Sequence, residues 1–121
     1  MRTILIVDDE PIIRELLGHI LEDAGYHVRL AAHGGEALDL LNKERPDLII
    51  ADVMMPVLDG VELCRRLKGD AATQEIPIIL MSAAARHVVW DAGADAFLDK
   101  PFDLETLVAL VRQQLERRAT G

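Results

Sequence analysis

Short apolar runs alternate along this chain with longer stretches whose apolar residues recur every three or four positions. The runs at 4–7, 27–31, 48–51, 78–81 and 96–98 carry no polar alternation, and they predict five strands, β1 to β5 in chain order. Between them, Ile12, Ile13, Leu16, Leu17, Ile20 and Leu21 mark a helix α1 over 12–24, opened by Pro11 and closed by Gly25. Ala37, Leu38, Leu40 and Leu41 predict α2 over 37–41, stopped before Pro46, and Val61, Leu63, Cys64 and Leu67 predict α3 over 61–67, after Asp59-Gly60. A short α4 is expected over 83–92. A last helix α5 over 104–115 is capped by Asp103, with Arg112, Arg117 and Arg118 placed favourably near its negative end.

Strands without alternation, separated by amphipathic helices, imply a parallel sheet buried on both faces. The expected architecture is α/β: a doubly wound (βα)5 unit of three layers, with the common strand order 2-1-3-4-5. No linker, repeat or low-complexity stretch interrupts the 121 residues, so one domain over 1–121 is expected.

That order makes the strand ends informative. Asp8 and Asp9 stand just beyond β1, Asp52 just beyond β3, Ser82 at the end of β4 and Lys100 just beyond β5. Neighbouring strands lie about 5 Å apart, so the acids of β1 and β3 would converge on one partly dry patch. Like charges so close raise one another's pKa or require a counter-ion. Oxygen-only ligands suit Mg²⁺ better than zinc. Lys100, about 10 Å from β3 by strand spacing, brings a fixed positive charge within its reach, and Ser82 brings a hydroxyl. Acids, a hard cation, a hydroxyl and an ammonium around one carboxylate form a site for a transferable phosphoryl group, with Asp52 as nucleophile. Each part has a plainer reading when taken alone. Asp8-Asp9-Glu10 is equally an acid cluster at a helix N-terminus, Asp52 a turn residue before Pro56, and Lys100 a surface lysine. Their coincidence at four strand ends is what favours the phosphoryl site.

Composition narrows the picture further. A net charge of −8, from 21 acids and 13 bases, argues against a nucleic-acid or anionic-membrane surface, since both require a basic patch. Tyr26, Trp90, Phe97 and Phe102 are the only aromatics, so the core must be aliphatic. Cys64 stands alone among Leu63 and Leu67, which excludes an internal disulfide and a cysteine zinc site and favours a packed thiol. His19, His27, His33 and His87 share no ligand spacing. The apolar run of the N-terminus is too short for a signal peptide and no stretch approaches the roughly 20 apolar residues of a membrane span. A cytoplasmic location is expected.

The segments ILIVDDE, DVMMPVLDG, ILMSA and AGADAFLDKPF, in this order and spacing, resemble the receiver domain of two-component response regulators over the whole chain. The resemblance implies a flavodoxin-like fold and a signalling module, not a turnover enzyme. Asp52 would accept a phosphoryl group from a phosphohistidine on a sensor histidine kinase or phosphotransfer protein. It further implies Mg²⁺ (or Mn²⁺) held by Asp9, Asp52 and the backbone carbonyl of Met54, with Asp8 acting through water. Lys100 would pair with the phosphoryl oxygens, Ser82 would be the hydroxyl switch and Phe97 the aromatic switch. The Lys100-Pro101 peptide is similar to one that is cis in the family. Output to a downstream effector would leave from the α4-β5-α5 face, where a homodimer could also form.

Two departures stand out. Ten residues separate Ser82 from the AGAD motif, about four fewer than the family pattern leads us to expect, or roughly one helical turn. The signalling face would therefore be altered while the phosphorylation site stays intact, with Trp90 filling the space of the lost turn. Phe97 replaces a tyrosine and lacks its phenol hydroxyl. Two further functions compete: a phosphatase with an aspartyl-phosphate intermediate, and a docking module that is never phosphorylated. The first needs a second acid two residues after the nucleophile, where Met54 stands, and a cap for which 121 residues leave no room. The second gives no reason for the acid, hydroxyl and lysine set. The chain ends at RRATG just past α5, so no output domain is expected within it.

Overall fold

In the computed structural model, which describes residues 2–83 and 93–120, five parallel strands form one sheet of order β2-β1-β3-β4-β5. The strands are β1 (Thr3–Val7), β2 (His27–Ala31), β3 (Leu48–Asp52), β4 (Ile78–Ser82) and β5 (Ala96–Asp99). The described helices are α1 (Pro11–Asp23), α2 (Gly34–Lys43), α3 (Gly60–Lys68) and α5 (Leu104–Thr120). From 84 to 92 the expected α4, with His87 and Trp90, lies outside the described residues.

Each strand divides its side chains between two cores, as the pleat requires. Leu48 and Ile50 of β3 join Ile4, Ile6, Ile79 and Met81 under α1 and α5, where Leu17, Leu21, Leu107 and Val111 cover them. Ile49 and Ala51 join Leu5, Val7, Ile78 and Leu80 on the other face, against Ala37 of α2 and Leu63, Cys64 and Leu67 of α3. Both faces of β3 are thus covered, which is why residues 48–51 carry no polar position. Cys64 is fully buried, and burial pushes its thiol up to about 11, so it packs as a small apolar group.

The helix starts follow local chemistry. Pro11 occupies the first turn of α1, and Gly25 takes a positive φ of 99° just past its end. Asp59 caps α3 by accepting from the Glu62 amide at 2.8 Å, and Asp103 accepts from the Thr106 amide at 2.7 Å. The hydrogen bonds from Thr106 hold the Asp103 carboxyl below the usual carboxylate value. α2 begins three residues earlier than the apolar spacing predicts, at Gly34 rather than Ala37. His33 supplies the cap there, its Nδ1 accepting from the Glu36 amide at 3.1 Å, while Glu36 Oε1 accepts from the Ala32 amide at 2.6 Å. Two glycines at 34 and 35 hide that start from any reading of hydrophobic periodicity.

At the other side of the sheet, Asp95 ties β5 to β4. Its Oδ2 accepts from the Ile78 amide at 2.8 Å and pairs with Lys68 Nζ at 2.7 Å, and Lys68 also donates to the Ile76 carbonyl at 3.0 Å. The start of β5 is thereby joined to the end of α3 and the approach to β4.

Gly60 controls how α3 meets the end of β3. A Cβ at Gly60 would sit 2.3 Å from the Asp52 carbonyl oxygen and 3.0 Å from Val53 Cα. These are backbone atoms and cannot rotate away. Gly60→Ala is therefore expected to destabilise the fold by about 2–3 kcal/mol, the cost of overpacking a rigid site. Urea denaturation measures this; an unchanged midpoint would show that the contact is slack.

Candidate phosphoryl and metal site

Three carboxylates and one ammonium meet at the carboxyl edge of the sheet, above β1 and β3. The pairing Val7↔Ala51 sets the two strand ends side by side, so the next residue on each chain, Asp8 and Asp52, faces the same space. Asp8 is held firmly: its amide donates to the Ala31 carbonyl at 3.1 Å and its carbonyl accepts from Arg14 Nη1 at 2.8 Å. Asp52 is the last residue of β3, and the Val53 amide beyond it donates to the Met81 carbonyl at 2.9 Å. The strand ends on an acid because its final residue already lies over the sheet edge, not in the apolar layers.

Both carboxylates are nevertheless almost shut off from solvent, Asp8 at 0% exposure and Asp52 at 3%. Asp52 Oδ1 accepts from the Met54 amide at 3.3 Å, and Oδ2 pairs with Lys100 Nζ at 3.2 Å. Asp8 Oδ1 accepts from the Glu10 amide at 2.9 Å. Among the described residues Asp8 Oδ2 has no hydrogen-bond partner, and Lys100 Nζ reaches only to 3.9 Å from it. Burial raises the Asp8 pKa first of all, and the negative Asp52 adds to that, against the opposing hydrogen bond from Glu10 and the charge of Lys100. A buried carboxylate oxygen without a partner is costly.

Carboxylate oxygens of Asp8, Glu10 and Asp52 lie within 4.8 Å of one another. Among the described residues only the Lys100 ammonium pairs with these carboxylate oxygens, while the Arg14 guanidinium is engaged by the Asp8 carbonyl, which leaves a deficit of positive charge at the oxygens themselves. An all-oxygen donor set with an unpartnered buried oxygen and that deficit fits a hard divalent cation. Asp9, the expected direct ligand, is exposed, and its carboxylate is not among the converging oxygens, whereas Glu10 is. From strand ends alone Glu10 does not stand out, because it reads only as part of the Asp8-Asp9-Glu10 acid cluster. Its place as the N-cap of α1 just before Pro11 was the available signal.

The other expected residues border this cluster. Ser82 is buried at the end of β4, and its carbonyl accepts from the Lys100 amide at 3.0 Å, which fixes the lysine backbone beside the hydroxyl's own strand end. Lys100-Pro101 is a cis peptide. Phe97 pairs with Leu80 in the β4-β5 register and is partly buried against the α2–α3 core. Met54 is exposed beside Asp52, and Val57 in the same loop is fully exposed with a φ of 68°. That left-handed conformation is unfavourable for a β-branched residue.

Residues 4–112 match the family described as the response regulator receiver domain. Response regulator MprA of Mycobacterium tuberculosis (strain ATCC 25177 / H37Ra) is 47% identical, over 94% of this chain and 50% of its own length. The chain thus spans about half the length of the curated relatives it matches. Among solved structures, the signal receiver domain of a signal transduction histidine kinase from Syntrophus aciditrophicus is 42% identical with a TM-score of 0.90, covering 96% of this chain and 91% of that one. Vibrio cholerae chemotaxis protein CheY4 is 37% identical with a TM-score of 0.87, covering 93% and 98%.

The Asp8 pKa is raised, so the folded chain holds this proton to a higher pH than the unfolded one. The sign follows: the buried charge costs stability above the raised pKa, and the cost fades as pH falls toward the ordinary value of 3.8. In metal-free buffer near neutral pH, Asp8→Asn is expected to stabilise the fold by about 1 kcal/mol, or roughly 4 °C in Tm. The gain should shrink as pH falls through the raised pKa toward 3.8. Calorimetry across pH checks this; an Asn form that melts lower at neutral pH would show Asp8 to be well solvated or paired.

Proposed function

Since the chain belongs to the response regulator receiver domain family, we propose that Asp52 accepts a phosphoryl group from a phosphohistidine on a histidine kinase or phosphotransfer protein. The observation that carries this is the state of Asp52 itself: a buried carboxylate at a strand end, 3.2 Å from Lys100 Nζ and beside the unpartnered oxygen of Asp8. A carboxylate oxygen of Asp52 attacks phosphorus in line, the P–N bond breaks, and its electron pair leaves with the imidazole nitrogen. Most of the catalysis in such a transfer is positioning and charge neutralisation.

Lys100 supplies one neutralising charge from within the site. Asp8, Asp52 and the acids beside them would hold Mg²⁺ or Mn²⁺, which when bound neutralises the phosphoryl oxygens and relieves the repulsion among the carboxylates. Asp9 and the Met54 carbonyl enter this ligand set through the family resemblance. Asp52 has no hydroxide-generating partner acid two residues on, where Met54 stands, so the phosphoryl group stays as a signal until it is hydrolysed, and no separate substrate is turned over.

The consequence for signalling is electrostatic. Phosphorylation replaces a monoanion with about two negative charges and strong acceptor oxygens. Ser82 and Lys100 sit on adjacent strand ends linked by the Lys100 amide bond to the Ser82 carbonyl, so both bind the phosphorylated form better than the bare carboxylate and bias the β4 and β5 ends together. Phe97 on β5 then exchanges its partly buried position for a deeper one, and the α4-β5-α5 face presents the change to an effector. The kinase, the effector and a cytoplasmic setting belong to this proposal; among the described residues no helix is long and apolar enough to cross a membrane.

Incubation with acetyl phosphate and Mg²⁺ tests it. Intact-mass spectrometry should show one phosphoryl adduct, stable in acid and labile in base, absent without the cation and absent from Asp52→Asn. An adduct that persists in Asp52→Asn would assign the acceptor elsewhere.

A further inference from the structure

We propose that Glu10 contributes a carboxylate oxygen to the coordination of the divalent cation at this site, an inference that rests on the metal-dependent reading of Asp52 above. The family resemblance gives direct coordination to Asp9 and Asp52; the geometry adds Glu10. Three observations converge on it.

The first is distance. Carboxylate oxygens of Asp8, Glu10 and Asp52 lie within 4.8 Å of one another. With Mg–O bonds of about 2.1 Å, two ligands of one ion lie at most about 4.2 Å apart. A separation of 4.8 Å at most exceeds that by no more than about 0.6 Å, a gap within reach of the side-chain torsions of the exposed Glu10.

The second is the orphaned oxygen. Among the described residues Asp8 Oδ2 is buried without a hydrogen-bond partner, and the Asp8 carboxylate is one of the three that converge with Glu10 and Asp52. A cation between these groups satisfies that oxygen and removes the repulsion in a single step.

The third is that the Glu10 side chain has no competing duty at the start of its helix. Glu10 stands at the N-cap of α1, yet its side chain makes no capping hydrogen bond. Its amide is tied to Asp8 Oδ1 at 2.9 Å and its carbonyl to the Arg14 amide at 2.9 Å. The backbone is therefore fixed beside the site while the carboxylate remains available to it.

Mn²⁺ binding to the full chain, followed by the EPR signal of the free ion, tests the assignment without reference to phosphorylation. Glu10→Gln should weaken Mn²⁺ binding about tenfold. Its metal-free Tm should match or exceed that of the unaltered chain, since a repulsive charge is gone. Glu10→Asp keeps the charge but withdraws the carboxylate by one methylene, so it should weaken binding as well. Either variant binding Mn²⁺ within twofold of the unaltered chain would overturn the proposal; an unweakened Glu10→Asp would mean that Glu10 acts only through its diffuse field. Asp52→Ala separates the two levels. If it loses Mn²⁺ binding while the Glu10 variants keep theirs, the metal site stands and the role of Glu10 falls. If Asp52→Ala binds as tightly as the unaltered chain, the metal-dependent reading of Asp52 fails and takes this proposal with it.

Discussion

The structure depends on one enforced proximity: β1 and β3 are neighbours, so the acids that end them share one dry space. Pairing Val7 with Ala51 leaves no freedom in where Asp8 and Asp52 fall, and Lys100 alone cannot balance both. Hydrophobic burial of the strands creates the repulsion that the site uses. Every Ile and Leu of β1 and β3 that packs under α1, α5, α2 or α3 also draws the two carboxylates together. Stability of the fold and poise of the site are opposed there, as is common where function requires strain or unpaired charge.

The surrounding backbone holds that arrangement from several directions. Arg14 reaches back from α1 to the Asp8 carbonyl, the Asp8 amide leans on β2, and Gly60 lets α3 begin against the Asp52 carbonyl. The Lys100 amide is bonded to Ser82, so β4 and β5 end as a pair. A change of charge at Asp52 is thus felt at once by three strand ends. Local shifts at packed elements tend to resolve into discrete arrangements rather than to dissipate. That property suits a phosphoryl group as a switch.

Most of the fold was legible in the sequence because a doubly wound parallel sheet writes both its strands and its helices in apolar periodicity. Leu48 to Ala51 reads as a fully covered strand since no position there needs a polar side. The start of α2 was not legible, because His33-Gly34-Gly35 contains no apolar residue and a histidine N-cap leaves little trace. At the site, Asp8, Asp52 and Lys100 could be brought together from strand order alone, since chain topology fixes where strands end. The relative placement of Asp9 and Glu10 could not: consecutive residues leaving a strand point in directions set by the turn, here one that the Asp8 side chain forms with the Glu10 amide. The shortening expected between Ser82 and Gly93 falls at 84–92, outside the described residues.

Under the proposed function, this edge of the sheet holds a divalent cation against Asp8 and Asp52. A crystal grown with Mn²⁺ and measured for anomalous scattering tests it most directly. One anomalous peak is predicted at the carboxyl edge, about 2.2 Å from an Asp52 oxygen and near Asp8 Oδ2. A well-ordered site with no peak there, at millimolar Mn²⁺, or a peak bound elsewhere on the acidic surface, would contradict the account.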